Sequence, residues 1–221
     1  IFIEHSFDWG QVISSYADVY FDGGGADFTV QSEFGRINKY YAGTALLMLP
    51  FFLLSCLGAW LFGFPIDGYS EPFQTGIMLG ALVYAGVGMY FLSRFLEAKG
   101  IDRSIALFTA ILCLFATNLF HYAIAEPAMS HAYSFALVSL FLFKVNAWLK
   151  NSNWSDLITA SIVFGLIVLV RPVNGLILFC VPFLAGGLEQ LWGTLKAKKG
   201  LSRQLGIGVV LVFAVLIVQS I

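Results

Sequence analysis

Long apolar runs separated by short polar segments dominate the chain from residue 42 onward. A helix needs about 20 mostly apolar residues to cross the hydrocarbon core of a bilayer. The pattern therefore predicts an all-α fold, a polytopic integral membrane helical bundle with six to seven hydrophobic segments. We place the runs at 42–63, 74–95, 104–120, 127–149, 155–170, 173–190 and 205–221.

Residues 1–41 form the sustained polar part of the chain, so we expect two regions, 1–41 and the bundle 42–221. Three consecutive glycines, Gly23 to Gly25, predict a turn because glycine adopts left-handed backbone angles at little cost. We expect a polar loop that carries short amphipathic helices.

The composition narrows the class of protein further. Hydrophobic residues make up 59% of the chain and charged residues only 11%, whereas soluble domains carry about 25% charge. This excludes an ordinary soluble globular domain and a disordered tail. A net charge of -1 offers no broad basic surface for nucleic acid. The three cysteines lie inside apolar runs and are predicted to be small buried residues rather than a disulfide framework.

Lysine and arginine are concentrated in loops 94–103, 149–156 and 191–204, whereas loops 64–73 and 121–131 contain none. Because basic loops remain in the cytoplasm, we place the first three loops there. Loops 64–73, 121–131 and 171–174 are expected outside.

Pro50, inside the first apolar run, leaves the side of residues 1–41 open. If 42–63 crosses the membrane once, residues 1–41 are cytoplasmic. A proline removes one helix hydrogen bond, so the run can instead be a broken or re-entrant pair of half-helices. That second arrangement, which we favour, makes residues 1–41 extracytoplasmic.

The two chain ends also carry information. The chain begins at Ile1 without the basic region or small-residue cleavage site of a signal peptide, and it stops inside an apolar run. We therefore expect an internal part of a longer protein, truncated at both ends.

The strongest candidate site lies between Asn118 and Ser134. Helical spacing puts Ser130, His131 and Ser134 on one face of the predicted helix that begins near Pro127. His121 and Glu126 fall in the loop beside it. Polar and ionisable groups at membrane depth are costly and are usually functional. A metal set of His121, Glu126 and His131 is not favoured, because spacings of five do not share a helical face.

A second candidate, Arg171 to Gly175, interrupts a long apolar stretch. Arg171 lies on the predicted outer side, and Asn174 is expected to cap the following helix. An arginine beside a helix N-terminus forms an anion site, and a lipid phosphate is the anion at hand. The alternative is an arginine that anchors in the headgroup region. Arg36 and Lys39 are further candidates for a phosphate contact or an interfacial anchor.

The order of these elements resembles the membrane-embedded glycosyltransferases of the GT-C superfamily. The sequence is most similar to a bacterial branch of that superfamily, near the dolichyl-phosphate-mannose protein mannosyltransferases and the aminoarabinose transferases. The resemblance thus implies a bacterial cytoplasmic (inner) membrane. The likeness covers most of residues 30–176. It is carried by Gly35-Arg36, Lys39-Tyr40-Tyr41, the acidic-aromatic loop Asp67 to Gln74, the segment TNLFHY…EPAMSHAYSF, and Arg171-Pro172-Val173-Asn174.

The resemblance implies transfer of a sugar from a polyprenyl-phosphate-linked donor to a lipid, glycan or protein acceptor at the extracytoplasmic face. It implies a carboxylate acting as general base or metal partner, for which Asp18, Asp22 and Asp27 are candidates, with an acid upstream of Ile1 as the alternative. It also implies basic residues that hold the carrier phosphate. The substrate-binding candidates are Lys39, Asn118, His121, Glu126, Ser130, His131, Arg171 and Asn174.

The expected partners are the polyprenyl-phosphate-sugar lipid donor and membrane lipids, with further subunits as candidates and no nucleic acid. No cofactor is required by the pattern, and a divalent cation is the one candidate. A different class of function is a non-catalytic accessory or scaffolding subunit of a larger membrane complex. A transporter of a lipid-linked substrate is less favoured, because the sequence shows no convincing inverted repeat.

Overall fold

The computed structural model describes residues 29–33, 35–38, 41–197 and 201–217. The chain divides into two compact units, Ile1–Tyr41 and Ala42–Ile221.

Within the first unit, residues 29–38 form an antiparallel hairpin of two strands, Thr29–Ser32 (β1) and Gly35–Asn38 (β2). Val30 is opposite Ile37, and Ser32 is opposite Gly35. Threonine, valine and isoleucine favour extended backbone, and two residues join the strands, a common length for a hairpin turn. Over this stretch the hairpin stands where short amphipathic helices were expected.

The second unit is helical throughout its described residues. Its α-helices are Ala42–Phe62 (α1), Glu71–Ala98 (α2), Arg103–Phe115 (α3), Leu119–Ile124 (α4), His131–Asn151 (α5), Trp154–Val170 (α6), Val181–Ala185 (α7), Leu188–Ala197 (α8) and Leu201–Leu216 (α9), and a 3₁₀ helix covers Pro172–Cys180.

Three helices, α1, α2 and α5, are long and apolar enough to cross a membrane. A fourth candidate is the pair Pro172–Ala185 and Leu188–Ala197, which is bent by 85°. The chain thus has the architecture of a helical membrane protein. The prediction of six to seven spans is wrong, because the structure supports three or four among its described residues.

The predicted runs that do not form spans are apolar enough, but their helices are too short. The run predicted at 104–120 ends as a helix at Phe115 and resumes as the short α4. The run at 155–170 forms the 17-residue α6, which extends about 25 Å at 1.5 Å per residue. Apolar composition alone does not reveal where a helix ends.

Helix α1 is continuous through Pro50, so the favoured broken or re-entrant pair is corrected to a single helix. Pro50 is exposed on the surface of the bundle. Membrane helices tolerate proline when neighbouring groups satisfy the freed carbonyl. On which side of the membrane residues 1–41 lie stays a prediction.

Helices α2 and α5 run parallel and form the most extensive contact in the bundle. The rings of Tyr84 and Tyr133 lie 5.0 Å apart, and a Cβ added at Gly88 would meet the ring of Phe135 at 2.3 Å. At the far end, Lys150 Nζ donates to the carbonyl of Ala98. These contacts fix the axial position of α2 relative to α5.

Helix α1 lies antiparallel to the first half of α2. Tyr84 Oη donates to the carbonyl of Leu47 at 3.1 Å, and a Cβ added at Gly76 would lie 1.9 Å from Ser55 Oγ. The Gly76-x-x-x-Gly80 spacing therefore allows two helices to approach closely, as small residues do in membrane bundles.

Basic side chains gather at the end of the bundle where α2 and α5 finish, here named the basic end (Lys99, Arg103 and Lys150). Lys99 Nζ donates to the carbonyl of Leu184 at 2.9 Å. Partial burial, followed by the charge of Lys150, lowers the pKa of Lys99 below the usual lysine value. The opposite end, where α5 begins and α6 finishes, is named the His131 end. This grouping is the one that the alternating basic loops predict.

Lys144 and Asp156 connect α5 to α6 inside the bundle. Lys144 Nζ lies 2.8 Å from Asp156 Oδ1, with the two side chains 24% and 12% exposed. Lys144 thus has a partner on the neighbouring helix. A buried ion pair gives little net stability, although removing one partner leaves an uncompensated charge.

We expect Asp156→Leu to destabilise the bundle strongly, at or below the roughly 3–5 kcal/mol of a broken buried pair because Lys144 keeps some solvent. The double variant K144M/D156L removes both charges and should recover most of the loss. Thermal unfolding of the detergent-solubilised protein measures both. Equal losses in the single and double variants would contradict the unpaired-charge explanation.

Candidate functional site

One side-chain hydrogen bond joins the two polar segments singled out in the sequence. Asn174 Nδ2, in the 3₁₀ helix, donates to Ser134 Oγ of α5 at 3.0 Å. The two residues are 40 positions apart. Segments 118–134 and 171–174 therefore meet at the His131 end.

His131, the first residue of α5, is the centre of this group. Its ring stacks on Tyr122 with centroids 3.8 Å apart and planes 17° from parallel. Arg171 and Glu126 are both close enough to act on His131 electrostatically. One cation and one carboxylate thus flank a half-buried imidazole.

The turn between α4 and α5 supplies the acidic side of the site. Glu126 Oε1 lies 3.8 Å from His121 Nε2, and the side chains are 46% and 60% exposed. Tyr133 Oη donates to the carbonyl of Pro127 at 3.2 Å, which ties the turn to the first turn of α5. The carboxylate of Glu126 is therefore partly exposed, on a turn that a hydrogen bond holds in place.

Arg171 lies at the C-terminus of α6, where its N–H donates to the carbonyl of Ile167. The side chain is partly buried. Among the described residues, no carboxylate lies within ion-pair distance of it. Helix α1 begins next to it, because a Cβ at Gly43 would lie 2.4 Å from the backbone nitrogen of Val170.

The site lies several helical turns away from the N-terminal end of α2. Ala81 packs in one cluster with Leu119, Ala132 and Tyr133, so it marks the level of the site. From Ala81, α2 continues for ten residues to Glu71, which is about 15 Å. The 28 residues of α2 extend about 42 Å, close to the full thickness of a bilayer with its headgroups. If α2 crosses the whole bilayer, Arg171 and His131 lie at hydrocarbon depth.

Several local expectations are corrected. Helix α5 begins at His131 with Ser130 as N-cap, so Pro127 lies in the preceding turn and not in the first turn of the helix. Arg171, not Asn174, is the N-cap of the 3₁₀ helix. The amide of Asn174 is used for the bond to Ser134 instead. Asn118 is the N-cap of α4, is exposed, and makes no side-chain capping bond.

The predicted catalytic acids Asp18, Asp22 and Asp27, and the predicted phosphate contact Lys39, lie outside the described residues. Arg36 belongs to β2, opposite Gln31. In the part of the chain that is described, no three His, Cys, Asp or Glu residues are arranged to hold a metal ion.

Sequence reasoning missed Tyr122 and Gly43. Tyr122 is part of the polar-aromatic segment, but its stacking on His131 depends on how the turn 125–130 folds back. Gly43 stands in a helix of ordinary apolar residues, and only the three-dimensional crossing shows why it has no side chain.

Comparison of this chain with protein-family profiles, curated proteins and solved structures finds no match.

We expect Asn174 and Ser134 to be energetically coupled. A neutral hydrogen bond contributes about 0.5–1.5 kcal/mol net, so a double-mutant cycle of N174A and S134A should give about 1 kcal/mol of coupling. The measurement is the unfolding free energy in detergent. Ser139, buried on the same helix, provides the control, because N174A and S139A should be additive. A zero coupling for the Ser134 pair would refute the bond.

Gly43→Ala should push the start of α1 away from the end of α6. Overpacking of this kind costs about 1–3 kcal/mol. Gly58, on the same helix, has open space around its Cβ position, so Gly58→Ala should be neutral or slightly stabilising. Thermal unfolding midpoints of the two variants compare them directly, and equal midpoints would contradict the close approach at Gly43.

Proposed function

We propose that this chain binds the phosphate of a polyprenyl-phosphate-linked sugar donor and takes part in transferring the sugar to a lipid, glycan or protein acceptor. The reaction belongs to the GT-C type of membrane glycosyltransferase. The proposed location is the extracytoplasmic face of a bacterial cytoplasmic membrane, with the basic end in the cytoplasm.

The observation that carries the proposal is that Arg171 is partly buried and has no carboxylate partner at ion-pair distance among residues 29–33, 35–38, 41–197 and 201–217. An unpaired charge at membrane depth is costly, so a bound anion would stabilise it. A lipid-linked phosphate is an anion that can enter from the side, through the bilayer.

The neighbouring groups suit the same ligand. Ser134 and Asn174 add polar atoms one turn away from His131, and the stacked ring of Tyr122 offers a flat apolar surface. Arg171 would bind the phosphate by charge-assisted hydrogen bonds. His131 would hold a proton or a hydrogen bond at a second phosphate oxygen.

In the transfer step the acceptor hydroxyl attacks the anomeric carbon of the sugar. The bond between that carbon and the phosphate oxygen breaks, and the polyprenyl phosphate leaves with the electron pair. A carboxylate takes the proton of the hydroxyl, and Arg171 stabilises the charge on the leaving phosphate. Glu126 is the carboxylate beside His131, while Asp18, Asp22 and Asp27 remain the candidates implied by the resemblance.

We expect Arg171→Gln to weaken binding of farnesyl phosphate by about 10- to 100-fold, the equivalent of about 1.5–3 kcal/mol for charge-assisted bonds. Arg103→Gln removes the same charge at the basic end and should leave affinity unchanged. The measurement is a binding titration on the purified full chain in detergent. Farnesol, which has the same apolar chain without the phosphate, should bind both variants equally.

Equal affinities of R171Q and R103Q for farnesyl phosphate would exclude Arg171 as the phosphate contact. If farnesol binds wild type as tightly as farnesyl phosphate does, the site recognises the apolar chain and not the anion.

A second candidate, a non-catalytic accessory subunit, is favoured by the exposure of Glu126. This carboxylate is 46% exposed, lies 3.8 Å from His121 Nε2, and forms no salt bridge with Arg171. Such a subunit would bind the lipid phosphate without turning it over. Incubation with a labelled polyprenyl-phosphate sugar and an acceptor-containing membrane extract separates the two, since only the enzyme releases polyprenyl phosphate.

A further inference from the structure

Helix α8 has one apolar face that no described element covers fully. At 100° per residue, Leu188, Leu191, Trp192 and Leu195 lie within one arc of the helix, and Glu189, Gln190 and Lys196 lie outside it. Leu188 is 73% exposed and Trp192 is 61% exposed. A surface of this kind is expected on a helix that lies in a membrane interface.

The direction of α8 is fixed by the end of α7. The N–H of Gly187 donates to the carbonyl of Pro182 at 2.8 Å, and the N–H of Gly186 donates to that of Phe183 at 3.2 Å. This pair of bonds is a Schellman motif. Both glycines have positive φ, 98° and 138°, so the turn suits glycine. Helix α8 then leaves at 85° to Pro172–Ala185.

The segment before the bend already runs from one end of the bundle to the other. Asn174 is bound to Ser134 at the His131 end, and the carbonyl of Leu184 accepts from Lys99 at the basic end. The nine 3₁₀ residues and five α-helical residues extend about 25 Å together, which matches the length of α6. Helix α8, which bends away from this segment by 85°, adds little to its extent along the bundle.

A helix at 85° to a segment that crosses the bundle lies close to the membrane plane, at the basic end. Its charges suit an anionic surface there. Lys196 Nζ lies 5.3 Å from the centroid of the Trp192 ring, so the cation sits at the edge of the apolar face. Along the sequence Lys198, Lys199 and Arg203 follow, against the single acid Glu189 between residues 186 and 204.

We propose that α8 is an interfacial helix that binds anionic lipid headgroups at the basic end of the bundle. Leu188, Leu191, Trp192 and Leu195 enter the boundary between headgroups and acyl chains. Lys196 meets a lipid phosphate directly above Trp192. The site is distinct from the Arg171 site, which lies at the opposite end.

The test uses the full chain in vesicles of phosphatidylcholine, with or without phosphatidylglycerol, that contain lipids brominated at known depths. Bromine quenches tryptophan fluorescence only at short range. The share of quenching that disappears in Trp192→Phe reports on Trp192. We expect that share to be largest for bromine near the top of the acyl chain, because interfacial helices insert about 5–10 Å.

Phosphatidylglycerol should increase the Trp192 share of quenching, and Lys196→Gln should remove that increase while leaving quenching in phosphatidylcholine intact. Trp60, exposed near the end of α1, is the matched control: its share, defined by Trp60→Phe, should not respond to Lys196→Gln. Absence of any Trp192 quenching would overturn the proposal and indicate that protein or water covers the face. Equal quenching with and without phosphatidylglycerol would overturn the anionic-lipid part.

Discussion

The close parallel packing of α2 on α5 is the contact on which the rest of the helical unit depends. Gly88 and the alanines Ala81, Ala132 and Ala136 leave no bulk between the two backbones, and the ring of Tyr84 lies against that of Tyr133. Because small residues fix both separation and register, α2 cannot slide along α5 without a steric clash. That register makes α2 extend beyond the start of α5, and α1, which lies antiparallel on the extension, begins at the level where α6 ends.

The candidate site is a consequence of this offset. Where α5 starts and α6 stops, helix termini present backbone groups that need partners, and in an apolar environment each unsatisfied group costs several kcal/mol. The chain meets this requirement locally, through the bonds of the Arg171 N–H to Ile167 and of the Asn174 N–H to Arg171. The side chain of Arg171 makes none of these capping bonds, and the side chain of Asn174 bonds to Ser134 instead.

Sequence patterns located the long helices well and the short ones poorly. The runs 42–63, 74–95 and 127–149 correspond to α1, α2 and α5, since each is apolar over a full membrane thickness. The break after Phe115 precedes Thr117 and Asn118, and the bend at Gly186-Gly187 precedes Glu189 and Gln190. These few polar residues did not divide the predicted runs 104–120 and 173–190. The polar segments 118–134 and 171–174 were recognisable because charge is rare in this chain. Their meeting through Ser134 and Asn174 was not, because it depends on how two intervening helices pack.

Four basic residues of the helical unit have a defined carboxylate or carbonyl partner. Lys144 has Asp156, Arg94 has Glu97, and Lys99 and Lys150 are bound to the terminal carbonyls of α7 and α2. Ion pairing and the capping of helix ends are therefore enough to explain why these four cations are where they are. Arg171 is partly buried and, within the described chain, has no such carboxylate or carbonyl partner for its side chain. If α2 crosses the whole bilayer, an arginine without a partner beside His131 carries a folding penalty, which a bound anion would offset. This asymmetry, more than any single motif, supports the proposal that a ligand binds at the His131 end.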